Sequence, residues 1–190
     1  MNARIFVISA PSGSGKTTLC NKLLKDGPAL ENSISMTTRP PRPGEKDGVD
    51  YRFVSEKYFR ASIKKDAFLE YEENFGNFYG TPKDFVEDNL RKGRSVLLSI
   101  DVKGAMKVKK QFPAKSVLIF IMPPSIAVLE KRLRLRKSED DDAISRRLSL
   151  AREEMAYKDK YDYIIVNDRL DAAYEKLKEV VVSELKTEGV

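Results

Sequence analysis

The sequence predicts an α/β fold: a mostly parallel sheet with helices on both faces. Three observations predict it. Short apolar runs recur at Ile5–Ile8, Ser95–Ile100, Ser116–Met122 and Tyr163–Val166, rich in β-branched residues and without polar alternation, as strands buried on both faces require. Helical patterns separate these runs, and strand alternating with helix implies parallel strands joined by crossovers. The first run leads straight into Ala10-Pro11-Ser12-Gly13-Ser14-Gly15-Lys16-Thr17, after which Leu19, Leu23 and Leu24 return at helical spacing.

Strand, glycine-rich turn and helix form the context in which such a turn binds phosphate. Gly13 and Gly15 let the backbone curl with its N–H groups inward, and the helix N-terminus adds partial positive charge. Lys16 can reach terminal phosphates, and the Thr17 hydroxyl can sit on Mg²⁺. Ala10 stands where such loops usually begin with glycine; its small side chain fits if its backbone stays out of the left-handed region. Cys20 shares a helical face with Leu23 and Leu24 and reads as a buried thiol. Asp26-Gly27-Pro28 ends this helix.

Residues 34–54 hold three prolines around Arg39 and Arg42. Such a segment is extended and near polyproline II, whose three-residue turn projects both arginines to one side. Two aligned guanidiniums suit a phosphate dianion, with Tyr51 as a further donor. A stiff surface loop with solvated arginines is the other reading. Tyr51–Val54 then reads as a strand, Ser55 as the cap of a helix through Lys64, and Phe68–Tyr71 as a strand. Glu70 alternates there with Leu69 and Tyr71, a position that faces solvent by default. Gly76–Gly80 reads as a turn with two aromatics. Thr81-Pro82 reads as cap and first position of a helix to about Lys92, stopped by Gly93.

Asp101 follows the strand Ser95–Ile100, at the end where open α/β sheets bind ligands. It could serve Mg²⁺, orient a substrate or simply end the strand. A helix from Lys103 to Gln111 crosses back, and Pro123-Pro124 closes the strand Ser116–Met122. Ser125 caps a helix running to Arg136. This helix and the next carry Arg132, Arg134, Arg136, Arg146 and Arg147, by default solvated faces. Glu139–Asp142 suits the N-terminus of the second helix. Asn167-Asp168 follows the last strand, and Asp171 to about Thr187 closes the chain as an amphipathic helix.

Composition bounds the chemistry. The 190 residues suit one compact domain with inserted segments, and 34% charged against 41% hydrophobic is globular. A net charge of +6 is compatible with phosphorylated substrates. No basic run is interleaved with aromatics for base stacking, so nucleic acid is not expected as a partner. With no histidine and one cysteine, a histidine base, a histidine nucleophile, a histidine metal ligand and an internal disulfide are excluded, and a cysteine-based metal site is not supported. No secretory signal or membrane-length apolar run is present, so cytoplasmic residence without a membrane partner is expected.

Taken together, these stretches resemble the guanylate kinase family over nearly the whole chain. The loop Pro11–Lys16 is shared with other phosphate-loop kinases. Thr37–Glu45 with Gly48 and Asp50-Tyr51, and Phe68–Glu70 followed by Gly76–Thr81, are far more specific. Ile100–Gly104, Pro123–Ser125 and Val166–Asp168 add support. The resemblance implies a P-loop nucleoside monophosphate kinase, in which the γ-phosphoryl group of ATP passes to GMP or dGMP with Mg²⁺. It implies a core over 1–33, 84–125 and 159–190, a GMP-binding insert over 34–83 and a lid over 126–158. ATP would be held by Ala10, Pro11, Ser12, Gly13, Ser14, Gly15, Lys16, Thr17, Thr18 and Asn167. The GMP phosphate would fall to Arg39, Arg42, Tyr51 and Tyr79, and guanine to Ser35, Glu70 and Thr81. Asp101 would lie near nucleotide and metal, with Mg²⁺ on Thr17 and on Asp101 through water. Lys16, Arg39, Arg132, Arg136, Arg147 and Asp101 would carry catalysis, which in phosphoryl transfer is positioning and charge neutralisation and needs no histidine.

Four departures stand out: Ala10 for glycine, Ser99 for an acidic residue, Phe78 for tyrosine, and Arg136-Lys137-Ser138 for Arg-Gly-Thr. Three other readings meet obstacles. A sugar-phosphate kinase would lack Glu70 and Thr81, an inactive binding module would show a degraded loop, and a GTPase would carry Asn-Lys-x-Asp. Monomer and homo-oligomer are not distinguished.

Overall fold

A computed structural model describes residues 3–74, 76–135 and 141–187. Its strands are β1 (Ile5–Ser9), β2 (Glu31–Asn32), β3 (Met36–Thr37), β4 (Arg52–Phe53), β5 (Phe68–Asn74), β6 (Asn77–Pro82), β7 (Val96–Ser99), β8 (Ser116–Met122) and β9 (Tyr163–Val166). Its helices are α1 (Lys16–Asp26), α2 (Glu56–Lys64), α3 (Lys83–Arg91), α4 (Val102–Gln111), α5 (Ile126–Arg134), α6 (Asp141–Met155) and α7 (Leu170–Lys186).

Five strands form an all-parallel sheet in the order β2-β7-β1-β8-β9. Side chains of β1 alternate between its faces. Phe6 and Ile8 pack with Leu19, Leu23, Tyr174 and Leu177 of α1 and α7. Ile5 and Val7 pack with Val86, Ala105 and Val108 of α3 and α4. Both faces are therefore dry, which is why these strands read as unbroken apolar runs. β2 has no such run. It is a two-residue edge strand, joined through Glu31 N–H to Ser95 O and Ser33 N–H to Leu97 O.

A second sheet, in the order β4-β3-β6-β5, is built from the middle of the chain. Here two expectations are corrected. Residues 77–80 are strand rather than turn, and Thr81-Pro82 ends β6 rather than opening a helix. The cause is packing. Phe78 stacks on Phe59, which stacks on Phe68, at 5.4 and 4.4 Å between ring centroids. Gly80 lies so close to the Phe68 ring that a Cβ would sit 2.7 Å from it. Helix α3 begins one residue later, with no side-chain cap. Phe78 in place of tyrosine suits this buried cluster, where a phenol would need a partner for its hydroxyl.

The segment from Met36 to Tyr51 is less extended than expected. A turn closed by Glu45 N–H to Arg42 O interrupts it. The caps of α2 and α5 are as expected, with Ser55 and Ser125 accepting from the N–H groups of Tyr58 and Val128. Helices α5 and α6 share a small core of Leu129, Leu133, Ile144, Leu148 and Ala151. Arg134 bridges Glu130 and Asp141 on its outer side. Arg136 and the Arg136-Lys137-Ser138 departure lie outside the described residues. No helix among the described residues is long and apolar enough to cross a membrane.

Candidate active site

The site lies at the carboxyl ends of the parallel strands. β1 runs into the glycine-rich loop, where Gly13 and Gly15 have φ of 94° and 90°, values that an L side chain strains to reach. Ala10 does not: among the described residues only Asp66 combines a side chain with positive φ, so alanine is accommodated there. Asn167, buried after β9, donates its Nδ2 to Ser14 O at 2.8 Å. A Cβ on Gly15 would lie 2.4 Å from that nitrogen, so a side chain at this position would displace the Asn167 amide as well as strain the backbone.

Lys16 donates to Ile100 O at 3.1 Å, joining the loop to the end of β7. Burial pushes its ammonium below the ordinary lysine range, opposed by nearby Glu154, Asp101 and Glu70. Thr17 and Thr18 are exposed beside it. Together with Ala10, Pro11 and Ser12 they line one side of a cleft of about 320 Å³.

The small sheet supplies the opposite side through Ser35, Arg42, Tyr51, Glu70 and Tyr79. Glu70 corrects the solvent-facing expectation for its strand position: it is buried at 7% exposure. Thr81 Oγ1 donates to its Oε1 at 2.5 Å. Its Oε2 rests against Gly104, where a Cβ would lie 2.5 Å away. Burial pushes the Glu70 carboxyl up to about 7, against the Thr81 hydrogen bond.

The amino-acid sequence model of the guanylate kinase family matches residues 2–184. The chain belongs to the guanylate kinase family. It is 50% identical over 184 residues to the guanylate kinase of Nitrosospira multiformis, covering 96% of this chain and 87% of that one. It is 49% identical over 180 residues to that of Caulobacter vibrioides, covering 95% and 84%. The crystal structure of guanylate kinase from Anaplasma phagocytophilum superimposes with a TM-score of 0.83 at 37% identity, over 97% of this chain and 87% of that one.

Against the residues expected from that family, Asp101 has a double attachment. Its Oδ1 caps α4, accepting from Lys103 and Gly104 N–H at 2.9 Å each. Its Oδ2 accepts from Asn74 Nδ2 at 2.7 Å. Arg39 and Arg42 do not project together. Arg39 forms a two-pronged pair with Glu45 at 2.8 and 2.9 Å and donates to Pro40 O, while Arg42 lines the cleft. Tyr51 and Tyr79 meet edge to face, with 6.0 Å between centroids.

Arg147 reaches the loop, donating to Ser12 Oγ at 3.2 Å. Arg132 turns to the main chain beside it, donating to Asn167 O and Asp168 O. Ser99, where the family pattern has an acidic residue, lines the cleft two residues before Asp101.

Three residues in or beside the cleft were not among the expected site residues: Asn74, Gly104 and Glu154. Glu154 lines the cleft, and burial raises its carboxyl to about 7, opposed by Lys16. Its signal was spacing. Arg147, Leu150 and Glu154 are three and four residues apart on α6, one helical face turned to the cleft.

Proposed function

We infer that this chain transfers the γ-phosphoryl group of ATP to GMP, giving ADP and GDP, and that it accepts dGMP. One observation carries the reading: a single cleft joins a glycine-rich loop with its lysine to a buried carboxylate backed by a threonine hydroxyl. The first suits a triphosphate; the second suits guanine. Guanine presents N1–H and an N2 amino group as donors on one edge, and O6 and N7 as acceptors on another. An ionised Glu70 is acceptor-only and takes the donors, with the Thr81 hydroxyl holding its carboxylate in place; Ser35 offers a hydroxyl to the acceptors.

In this reading the loop from Ala10 to Thr18 cradles the ATP phosphates, with its N–H groups after Pro11 as donors, and Lys16 leaves Ile100 O to neutralise charge on the transferring group. Arg42, Tyr51 and Tyr79 hold the GMP phosphate, with Arg39 exchanging Glu45 for it. Arg147 and Arg132, with Arg136, steady charge on the equatorial oxygens from the lid side, and Asn167 lies beside adenine. The acceptor is already a phosphate oxygen, so positioning and charge carry the reaction.

Mg²⁺ fits the donor set: the Thr17 hydroxyl is exposed in the cleft, and Asp101, with both oxygens engaged, suits contact through water. Bound there, Mg²⁺ neutralises phosphate charge. Residues 34–83 act as the GMP-binding unit, 126–158 as the lid and the rest as the ATP-binding core, in the cytoplasm.

The test is a coupled assay of ATP consumption with GMP, dGMP, AMP, CMP and UMP in parallel. GMP and dGMP are expected to turn over, with GMP above AMP by about 10⁴ in kcat/KM, because adenine leaves Glu70 desolvated and unpaired. Comparable AMP turnover would contradict the reading.

A further inference from the structure

Strand β5 runs beside α4, and polar contacts join the two in order along the helix. Gln111 Nε2 donates to Leu69 O at 2.8 Å. Lys107 Nζ donates to Tyr71 O at 2.8 Å and pairs with Glu72 at 2.7 Å. Asn74 Nδ2 donates to Asp101 Oδ2 at 2.7 Å. Of these residues only Asn74 and Asp101 line the cleft.

The last contact differs from the others in its acceptor. Asp101 is anchored through Oδ1 to two N–H groups of the α4 N-terminus, so it cannot follow a moving strand without uncapping its helix. Asn74 stands opposite Asn77 at the end of the β5–β6 pairing. It is also four residues from Glu70, and residues an even number apart along a strand share a face. The burial pattern agrees: Glu70, Glu72 and Asn74 are sheltered, while Tyr71 and Glu73 are exposed. A bond from Asn74 to the core therefore orients the same strand face that carries Glu70.

We propose that Asn74 is a positioning residue: it latches the small sheet to Asp101 and so sets the gap across which Glu70 meets the bound purine monophosphate. The proposal rests on the reading of that face as the GMP site. By tying the strand to the core, the bond supplies part of the ordering that GMP binding would otherwise require.

The test is calorimetric titration of GMP and, separately, ADP into wild type, Asn74→Ala and Asn74→Asp. Asn74→Ala is expected to weaken GMP binding about tenfold, as loss of a hydrogen bond to a charged acceptor does, with ADP affinity unchanged within about twofold. Asn74→Asp, which sets a carboxylate against Asp101, is expected to weaken GMP further than alanine does. Unchanged GMP affinity in Asn74→Ala, equal weakening of GMP and ADP, or an aspartate variant no weaker than the alanine one would overturn the latch.

Amide hydrogen exchange at Lys103 and Gly104 in the ligand-free protein separates this inference from the reading beneath it. If wild type binds ADP but not GMP, the substrate reading fails. The latch is then supported by several-fold faster exchange in Asn74→Ala and overturned by unchanged exchange.

Discussion

The two walls of the cleft are made in opposite ways. The loop wall is main chain: two glycines in the left-handed region, a carbonyl tied to Asn167, and one lysine, all carried by a strand buried on both faces. The wall across from it is side chain: serine, arginine, two tyrosines and a carboxylate on a small sheet whose own core is three phenylalanines. A phosphate is recognised by any curl of N–H groups at a helix N-terminus. A base is recognised by donors and acceptors at particular positions, which only side chains can vary. The first wall should therefore tolerate change except at its glycines and lysine, while the second should lose specificity residue by residue.

Lys16→Met tests the loop wall and carries the larger effect. Its kcat is expected to fall by about 10² to 10³, as for other preorganised charge donors. The fold should persist, since methionine is a good helix former. Steady-state kinetics on the mutant, with circular dichroism as the control, checks both.

Gly104→Ala tests the base wall without replacing a group that contacts substrate. A Cβ there would lie 2.5 Å from Glu70 Oε2, and the carboxylate, at the free end of a flexible side chain, must move. Alanine is also the better helix former, so melting temperature should hold or rise. GMP affinity should fall about 10- to 100-fold, as when hydrogen bonds to a charged group are lost. Calorimetry with GMP and with ADP separates the walls, because ADP affinity should not follow.

The smallest effect is on pH. Burial raises the Glu70 carboxyl from 4.5 to about 7 in the folded chain. Between those values the native state binds more protons than the unfolded chain. Its contribution to stability is thus full below 4.5 and is lost as pH rises through about 7. GMP, offering donors, selects the ionised form. Its affinity should therefore rise about tenfold from pH 6 to 8, with about half a proton released per GMP at pH 7. Titration in buffers of different ionisation enthalpy measures that proton, and Glu70→Gln should abolish its share.

The same contrast explains what was legible in the sequence. The parallel core was readable because strands dry on both faces cannot hide their apolar runs. Only β2 was missed, since a two-residue edge strand beginning with Glu31 carries no such run. The loop was readable because its glycines serve backbone geometry. The small sheet was harder. Gly80 reads as a turn residue but is there for the Phe68 ring. Thr81 reads as a helix cap, yet its hydroxyl is spent on Glu70. Arg39 reads as half of an aligned pair, yet Glu45 turns it aside. Each of these depends on a partner brought close by pairing of β5 with β6 or by a tight turn, and local pattern does not contain such partners. Family motifs supplied the candidate site there, and the buried carboxylate gave it a physical reason.

The central claim is that base and phosphate are read by separate side chains on the small sheet. It is tested most directly by kcat/KM for GMP and for AMP on wild type, Glu70→Ala and Arg42→Ala. Arg42→Ala should weaken both nucleotides alike and keep their ratio. Glu70→Ala should collapse the ratio from about 10⁴ toward parity, chiefly by losing GMP activity. A Glu70→Ala enzyme that keeps the wild-type ratio would contradict the account.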